Sequence, residues 1–215
     1  MTSTFGYLAR AVFLLVISVA AHGLHAQQPV RSEFIVKKGK DTVAVEIFTR
    51  DASTLTSEIY QTNGIRTQYT INLRSDSSAQ HVEMTRQGRQ GAGAGVSVNF
   101  ADTLVTAIMS AGGEAEKVEF ASGLGKAIPF LAVSFALAEQ VLFASHLAVG
   151  KSRVWTACRL AAGDTATLTV TRFHADSALL AMSDLQLKLA LSPKGEVIGG
   201  RHMAQDWLVE RKTLK

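Results

Sequence analysis

Residues 65–73 read Ile-Arg-Thr-Gln-Tyr-Thr-Ile-Asn-Leu, and this stretch indicates how most of the chain folds. Apolar and polar side chains alternate along it, with β-branched and aromatic residues among the apolar ones. Such a period of two is typical of a β-strand with one buried face. Asn63-Gly64, just before it, tolerates the positive φ of a tight hairpin turn and predicts an antiparallel partner strand. The side chains predicted to share the buried face are Ile65, Tyr69, Ile71 and Leu73.

The same alternation recurs on both sides of this strand. Turn residues such as Gly, Asn, Asp and Ser separate the alternating runs at intervals of about 8–12 residues, a spacing typical of all-β folds. Because no helical pattern intervenes between these early runs, the sequence predicts an antiparallel meander and not a parallel βαβ sheet. Further strands predicted in this way are Thr42–Ile47, Thr165–Arg172, Leu185–Leu191, Glu196–Ile198 and Asp206–Arg211.

One segment breaks the alternation. Residues 129–149 read PFLAVSFALAEQVLFASHLAV and are rich in Ala and Leu. Pro129 suits the first position of a helix and Gly150 suits the residue just past its end, which predicts a helix of about 31 Å. Its apolar composition is also compatible with a membrane or interfacial helix. Because Glu139 and Gln140 at its midpoint would be costly in a bilayer, we favour a buried helix packed on the sheet.

Together these elements predict the fold class. Strands on both sides of one long central helix indicate an α+β domain, in which a strongly curved antiparallel sheet, similar to half a barrel, packs on that helix. Residues 27–215 are long enough for a single β-rich domain of this kind, because domains hold about 100–200 residues. A chain of this size buries a substantial core without disulfide bonds.

Residues 1–26 are predicted to be a secretory signal peptide. Arg10 supplies the positive charge, residues 11–21 form an unbroken apolar run, and small residues follow. We expect cleavage after Ala26, or alternatively after Gly23, and export to the periplasm or the extracellular space. The alternative is an uncleaved anchor, but an apolar helix of this length spans about 16 Å against about 30 Å of hydrocarbon. We therefore expect no stable transmembrane span after cleavage.

Composition excludes several classes of protein. The 215 residues carry a formal net charge of +4 and give a pI of about 9.3, with acidic and basic residues interspersed. This balance does not indicate nucleic-acid binding. Cys158 is the single cysteine, so the chain forms neither an intramolecular disulfide nor a Cys-based zinc or iron–sulfur site. We expect Cys158 to be a buried structural residue, because no thiolate-stabilising base is evident near it in the sequence.

The sequence contains no motif that identifies a catalysed reaction. The sequence lacks a P-loop, a Gly-x-Ser-x-Gly elbow and a His-Glu-x-x-His motif. His174 and Asp176 are the nearest approach to a catalytic or metal pair, and a turn between two strands explains them better than a hydrolase site does. Glu139 and His146 lie two turns apart on the predicted helix, where a satisfied core contact explains them better than a functional pair. We therefore predict no enzyme, no catalytic residue, no metal and no cofactor.

The arrangement of strands and helix resembles the unclosed half-barrel of the lipoprotein-carrier group, the LolA/LolB-like proteins, and related secreted domains of unknown function. The resemblance rests on strands from Phe34 to Phe120, the apolar stretch from Pro129 to Val149, and strands again to Arg211. It covers most of residues 27–215 and implies an exported protein with an apolar cavity. The chain departs from the group in one respect, because those carriers have helices crossing the mouth at more than one place and one is evident here.

Two functional hypotheses follow. In the first, the protein binds a hydrophobic ligand, a lipid or an acyl chain, in the concave face of the curved sheet. In the second, it is a structural or protein-interaction module of the cell envelope, with a filled core, a protein partner and no small ligand. The volume left between helix and sheet distinguishes the two. The residues predicted to line the ligand groove are Leu131, Phe135, Ala138 and Leu142.

Overall fold

The computed structural model of the chain describes residues 30–214, apart from residues 90, 92, 123–125 and 184. The predicted signal peptide and both predicted cleavage positions lie outside the described residues. The described residues form fifteen strands and one helix. In chain order the elements are β1 (Val30–Lys38), β2 (Asp41–Arg50), β3 (Thr54–Gln61), β4 (Arg66–Leu73), β5 (Ala79–Gln87), β6 (Gly93–Phe100), β7 (Leu104–Ala111), β8 (Glu114–Ala121), β9 (Ile128–Phe130), α1 (Phe135–Ser145), β10 (Lys151–Arg159), β11 (Asp164–His174), β12 (Ser177–Met182), β13 (Leu185–Leu191), β14 (Val197–His202) and β15 (Trp207–Thr213).

All the strands belong to one sheet, in the order β8-β7-β6-β5-β4-β3-β2-β1-β15-β14-β13-β12-β11-β10-β9. The two halves of the chain join at β1, where Val36 lies opposite Ala44 of β2 on one side and Val209 of β15 on the other. Neighbouring strands are antiparallel except β9 and β10, which are parallel. The predicted meander is therefore confirmed. The predicted hairpin turn is also present, with Gly64 at φ +85° and its N–H donating to the Gln61 carbonyl at 2.9 Å.

The predicted α+β class, with one long central helix, is wrong. Strands make up 65% of the structure and helix 6%, so the protein is nearly all β. The helix α1 contains 11 residues, in place of the predicted span of residues 129–149. In the described part of the chain, no helix is long and apolar enough to cross a membrane.

Local interactions explain why the helix is shorter than predicted. Pro129 lies in β9 at the edge of the sheet, opposite Cys158, where a residue without a backbone N–H is tolerated. Ser134 is the N-cap, and its Oγ accepts the N–H of Leu137 at 3.1 Å. His146 ends the helix with a left-handed backbone at φ 46°. Because α1 is buried on nearly every side, its apolar pattern has no polar face that marks where it begins and ends.

The core lies between the concave side of the sheet and α1. Nine of the 11 helical residues are buried. The ring of Phe34 stacks on Phe48 with centroids 5.1 Å apart, and the ring of Phe135 on the helix lies 6.0 Å from that of Phe34. The alternation predicted along β4 is realised here, because Tyr69 and Ile71 face this core. Helix and sheet therefore fill the concave side together.

The sheet curls so far that its β9 edge contacts the concave side of β5. The turn after β10 is part of this closure. Its Gly163 lies so close to Met109 of β7 that a Cβ atom built on the glycine would stand 2.0 Å from the Met109 sulfur. A salt bridge of 2.7 Å between Lys126 and Asp76 links the segment before β9 to the β4–β5 turn. The sheet is thus a roll with β8 and β9 as its two edges.

Candidate functional site

A buried carboxylate on β2 fixes the position of the helix. Both oxygens of Glu46 accept hydrogen bonds at the start of α1, from Ser134 Oγ at 2.6 Å and from the N–H groups of Phe135 and Ala136 at 2.7 and 3.1 Å. Two side chains of the sheet also donate to Glu46. Ser57 Oγ does so at 2.9 Å, and the Tyr69 hydroxyl does so at 3.0 Å. A negative charge at a helix N-terminus is favoured by the backbone dipoles.

Burial has the largest effect on the pKa of the Glu46 carboxyl group. Burial raises the pKa of Glu46, and the hydrogen bonds from Ser134, Ala136, Ser57 and Phe135 oppose that rise. Burial, together with the neighbouring Glu46, also raises the pKa of Tyr69 well above its ordinary value. Since both carboxylate oxygens are occupied by groups of the fold, Glu46 acts as a structural cap and not as a general base.

A second buried carboxylate ties the middle of the helix to three strands. Glu139 accepts from Arg211 Nη1 on β15 at 2.6 Å, from Arg50 Nη1 on β2 at 3.1 Å and from the N–H of Val197 on β14 at 2.7 Å. Arg50 also donates to Gln140. Burial raises the pKa of Glu139, which the two guanidinium groups oppose, and burial lowers the pKa of Arg50. Glu139 is a satisfied core residue, as the sequence favoured. It does not pair with His146, whose side chain is exposed and whose Nε2 lies 3.2 Å from the Asp76 carbonyl oxygen.

An open cleft of about 300 Å³ borders this network. Its walls carry charges of both signs, and the guanidinium of Arg50 lies 4.5 Å from the ring centroid of Phe143. Both oxygens of Glu139 are engaged within the fold, so this carboxylate is not free to take a proton from a substrate. The arrangement therefore serves to clamp the helix to the sheet.

The four residues predicted to line one groove are not brought together. Phe135 and Ala138 are completely buried in the core. Leu131 lines a cleft at one end of the roll. Leu142 lines a different recess of about 160 Å³ at the other end. The predicted groove along the helix is therefore absent from the described part of the structure, because the sheet covers the stripe that was expected to be open.

Two clefts flank the β10–β11 turn, residues 160–163, at the end of the roll that holds Leu131. The first, here the Leu131 cleft, has a volume of about 240 Å³ and opens between β9, this turn and the β12–β13 hairpin. Its walls are almost entirely apolar. They include Phe130, Leu131, Ala132, Ala162, Ala166, Met182 and Leu185.

The second cleft, here the Met109 cleft, has a volume of about 350 Å³ and lies on the other side of the same turn. It opens between the turn and the concave side of strands β5 to β8. Ala161 lines both clefts, so the turn stands between them. The apolar residues that line the Met109 cleft are Met84, Val96 and Met109, together with the buried Leu160 of the turn.

Charged residues stand at the openings of these clefts. The Met109 cleft is bordered by Arg86, Glu114 and Glu116. The Leu131 cleft is bordered by Arg159, whose Nε donates to Asp164 at 2.5 Å. An apolar floor with polar groups at the rim is the usual composition of a site for an apolar or amphiphilic small molecule.

A larger recess has a different character. It measures about 660 Å³ and lies on the outer face of β2 to β5. Its lining is mainly polar and includes Thr49, Thr56, Thr70, Glu58 and Glu83. Polar groups are interspersed among the apolar ones across this surface, whereas the walls of the Leu131 cleft are mainly apolar, so we place the candidate site at the β10–β11 turn.

The remaining sequence-predicted positions carry no site. His174 and Asp176 stand at the exposed turn between β11 and β12, as the turn interpretation predicted. Cys158 is buried, and this burial raises the pKa of its thiol to about 12. Among the residues described, no group of three or more His, Cys, Asp or Glu side chains is placed to hold a metal ion.

Sequence reasoning missed the residues of the Met109 cleft. The run Leu160-Ala161-Ala162-Gly163, which follows an alternating strand and ends in glycine, could have predicted a tight turn. That this turn reaches Met109, more than fifty positions earlier in the chain, depends on how far the sheet curls, and no local pattern encodes that.

Comparison with known proteins identifies a fold and no family. No family model matches the sequence, and no curated protein is similar to it. The solved structure of a DUF1089 family protein from Pseudomonas aeruginosa is similar, with a TM-score of 0.56, and the alignment covers 74% of this chain and 89% of that chain. The sequence identity is 16%, so the likeness concerns the fold alone.

Proposed function

We propose that this protein binds a hydrophobic ligand, a lipid or an acyl chain, at the end of the roll beside the β10–β11 turn. The observation that carries this proposal is the Leu131 cleft, whose walls are formed by aliphatic, aromatic and methionine side chains with few polar groups. Burying an acyl chain against such walls is favourable by about 0.8 kcal/mol for each methylene group.

The position of the proposed site differs from the one expected from the sequence. A ligand in the centre of the concave face would have to displace Phe135 and Ala138, which are completely buried. The end of the roll requires no such displacement, because the clefts there are already open to solvent. We therefore place the ligand against Leu131 and not along the helix.

We also propose that the protein is exported, with residues 1–26 removed as a signal peptide, and acts in the periplasm or outside the cell. The basis is the sequence of that segment. A soluble protein with an open apolar cleft in such a compartment is suited to holding lipid between membranes.

The filled core supports the alternative of an envelope interaction module without a small ligand. One observation favours it specifically. Strand β8 forms an edge of the sheet, and its residues from Glu114 to Lys117 are exposed, which leaves an edge where a partner strand could pair. Its high content of Glu discourages self-pairing, which is how many soluble proteins protect an edge.

Native mass spectrometry of the protein, expressed as the full chain and purified without detergent, distinguishes the two functions. We expect an excess mass of several hundred daltons that organic solvent releases as lipid. The variant Ala162→Phe, which places a ring into the Leu131 cleft from an exposed position, should lose that mass. Ala190→Phe, on the exposed face of β13, is the matched control and should keep it. A clean apo mass that stays free of added lipid would instead favour the interaction module.

A further inference from the structure

The Leu131 cleft and the Met109 cleft are separated by a single turn of chain. We propose that they are two halves of one site, which takes a lipid with two acyl chains, one chain on each side of the β10–β11 turn. This inference rests on the proposed function, because it specifies the class of lipid that the same end of the roll binds.

The turn between the two clefts is narrow and is held in place by hydrogen bonds and by one buried side chain. Three of its backbone N–H groups are bonded within the fold. The N–H of Leu160 donates to the Phe130 carbonyl at 3.0 Å, and the N–H groups of Ala162 and Gly163 donate to the Arg159 carbonyl at 3.0 and 2.9 Å. Leu160 is completely buried and anchors the turn. The residues at the tip of the turn are Ala161, Ala162 and Gly163, and their small side chains let the two clefts approach each other closely.

The two clefts share apolar walls, although the Met109 cleft carries more polar residues than the Leu131 cleft. Each has aliphatic walls, and each contains methionine, Met182 in the Leu131 cleft and both Met84 and Met109 in the Met109 cleft. Methionine side chains are flexible and adapt to chains of irregular shape. The volume of the Leu131 cleft, about 240 Å³, lies below the range of about 300–1,000 Å³ for small-molecule sites, and that of the Met109 cleft, about 350 Å³, lies near its lower end, so each suits part of one chain.

The charges at the openings indicate the kind of headgroup. Arg86 and Arg159 are matched by Glu114 and Glu116 among the lining residues, and Asp164 is bonded to Arg159. The described rim residues carry no excess positive charge, so they give a strongly anionic headgroup no net attraction. Such a rim suits a zwitterionic headgroup, whose two charges each find an opposite partner.

The occupancy of each cleft can be tested with short-chain lipids that dissolve without detergent. Dihexanoylphosphatidylcholine carries two chains, and hexanoyl-lysophosphatidylcholine carries one chain on the same headgroup. Isothermal titration of the full-length gene product should give one two-chain molecule per protein, and two single-chain molecules, one for each cleft. The two-chain lipid should bind at least about tenfold more tightly than the single-chain lipid, since its second chain buries further methylene groups.

Two blocking variants assign the clefts. Ala111→Phe fills the Met109 cleft and Ala162→Phe fills the Leu131 cleft, and both positions are exposed, so neither change disturbs the core. Each variant should lower the stoichiometry of the single-chain lipid from two to one and weaken the two-chain lipid by about tenfold, the equivalent of about two buried methylene groups. Ala190→Phe on the outer face should change neither value.

The outcomes separate this inference from the proposed function. If the single-chain lipid binds once and only Ala162→Phe affects either lipid, the two-chain inference is wrong and lipid binding at the Leu131 cleft stands. If neither lipid binds and no lipid copurifies with the protein, both are wrong. If both blocking variants act as described, the two clefts form one site.

Discussion

Glu46 Oε2 lies 2.7 Å from the backbone nitrogen of Phe135, so that a carboxylate in the second strand caps a helix that begins about ninety residues later. This contact joins the two parts of the fold that surround the core. It is made within a site from which solvent is excluded, since both Glu46 and Phe135 are fully buried. The helix therefore depends on the sheet for both its position and its N-terminal hydrogen bonds.

Glu46→Ala should destabilise the protein by about 3 kcal/mol. The change leaves the N–H groups of Phe135 and Ala136 without an acceptor, and a buried unsatisfied donor costs about 1–3 kcal/mol. Equilibrium denaturation in urea measures the loss. Ser134→Ala is the control for ordinary capping. It removes the acceptor of the Leu137 N–H and one donor to Glu46, but leaves Glu46 bonded to Phe135 and Ala136, so it should cost less, about 1–2 kcal/mol. Equal losses for the two variants would contradict the role assigned to Glu46.

Stability should depend on pH through the same residue. Burial raises the pKa of Glu46 above its ordinary value of 4.5, so the folded protein holds this proton more tightly than the unfolded chain does. Its contribution to the free energy of unfolding is therefore complete below pH 4.5 and declines as the pH rises through the raised pKa. Measured from pH 4 upward, the stability of the wild type relative to Glu46→Gln should fall with rising pH.

The carboxylate of Glu58, which lies near the surface, should change stability with pH in the opposite direction and serves as the comparison. Hydrogen bonds from Tyr60 and Gln68 lower the pKa of Glu58, so its contribution is present above the ordinary pKa of 4.5 and is lost as the pH falls. The stability of the wild type relative to Glu58→Gln should therefore rise with pH over the acidic range. If the two difference curves had the same slope, the assignment for Glu46 would be incorrect.

The clamp around Glu139 predicts strong coupling between its members. Arg211→Met should cost about 3–5 kcal/mol, because it leaves a carboxylate that is 2% exposed with one guanidinium partner in place of two. The double variant Glu139→Leu/Arg211→Met removes the stranded carboxylate together with Arg211 and leaves Arg50 bonded to Gln140. Its loss should be smaller than the sum of the two single losses, by about 1 kcal/mol or more. Additive losses in a denaturant series would show that the two groups do not interact.

The alternation along β4 and the similar runs beside it, with turn residues between them, predict the antiparallel meander, since a period of two is a local property of the chain. The length of the helix was not predictable in the same way. Pro129 and Gly150 are good local signals for helix ends, but Pro129 is paired with Cys158 in an edge strand, and Ser134 provides the actual N-cap. The strands that pack around an apolar segment decide which of its possible helix ends is used.

The candidate site was predictable only in part. Leu131 was expected to contact ligand and does line a cleft, whereas Phe135 and Ala138 lie on the same predicted stripe and are covered by the sheet. A helix that is buried on nearly every side has no polar face, so a stripe of apolar residues on it does not predict which of those residues line a cleft. The Met109 cleft depends on contacts between β7 and the β10–β11 turn, which are distant in sequence and leave no local pattern.

Cys158 should be chemically inert in the folded protein. The thiolate is the reactive form, and burial raises the pKa of this thiol to about 12. We therefore expect reaction with a water-soluble disulfide reagent at pH 8 to be slower by at least about a hundredfold in the native protein than in denaturant. Rapid native labelling would place Cys158 outside the core and would contradict its pairing beside β9.

Ala138→Phe separates a filled core from an open groove. If the stripe of α1 were the wall of a groove, as the sequence suggested, the larger ring would fill the space and leave stability unchanged. In the structure Ala138 is completely buried, so the ring has no space and forces the helix and sheet apart. Overpacking of this kind costs about 1–3 kcal/mol. Thermal denaturation should show the loss, and Ala162→Phe, at an exposed position beside the Leu131 cleft, should show almost none. If Ala138→Phe were as stable as the wild type, the concave face would be open, and the ligand would belong along the helix after all.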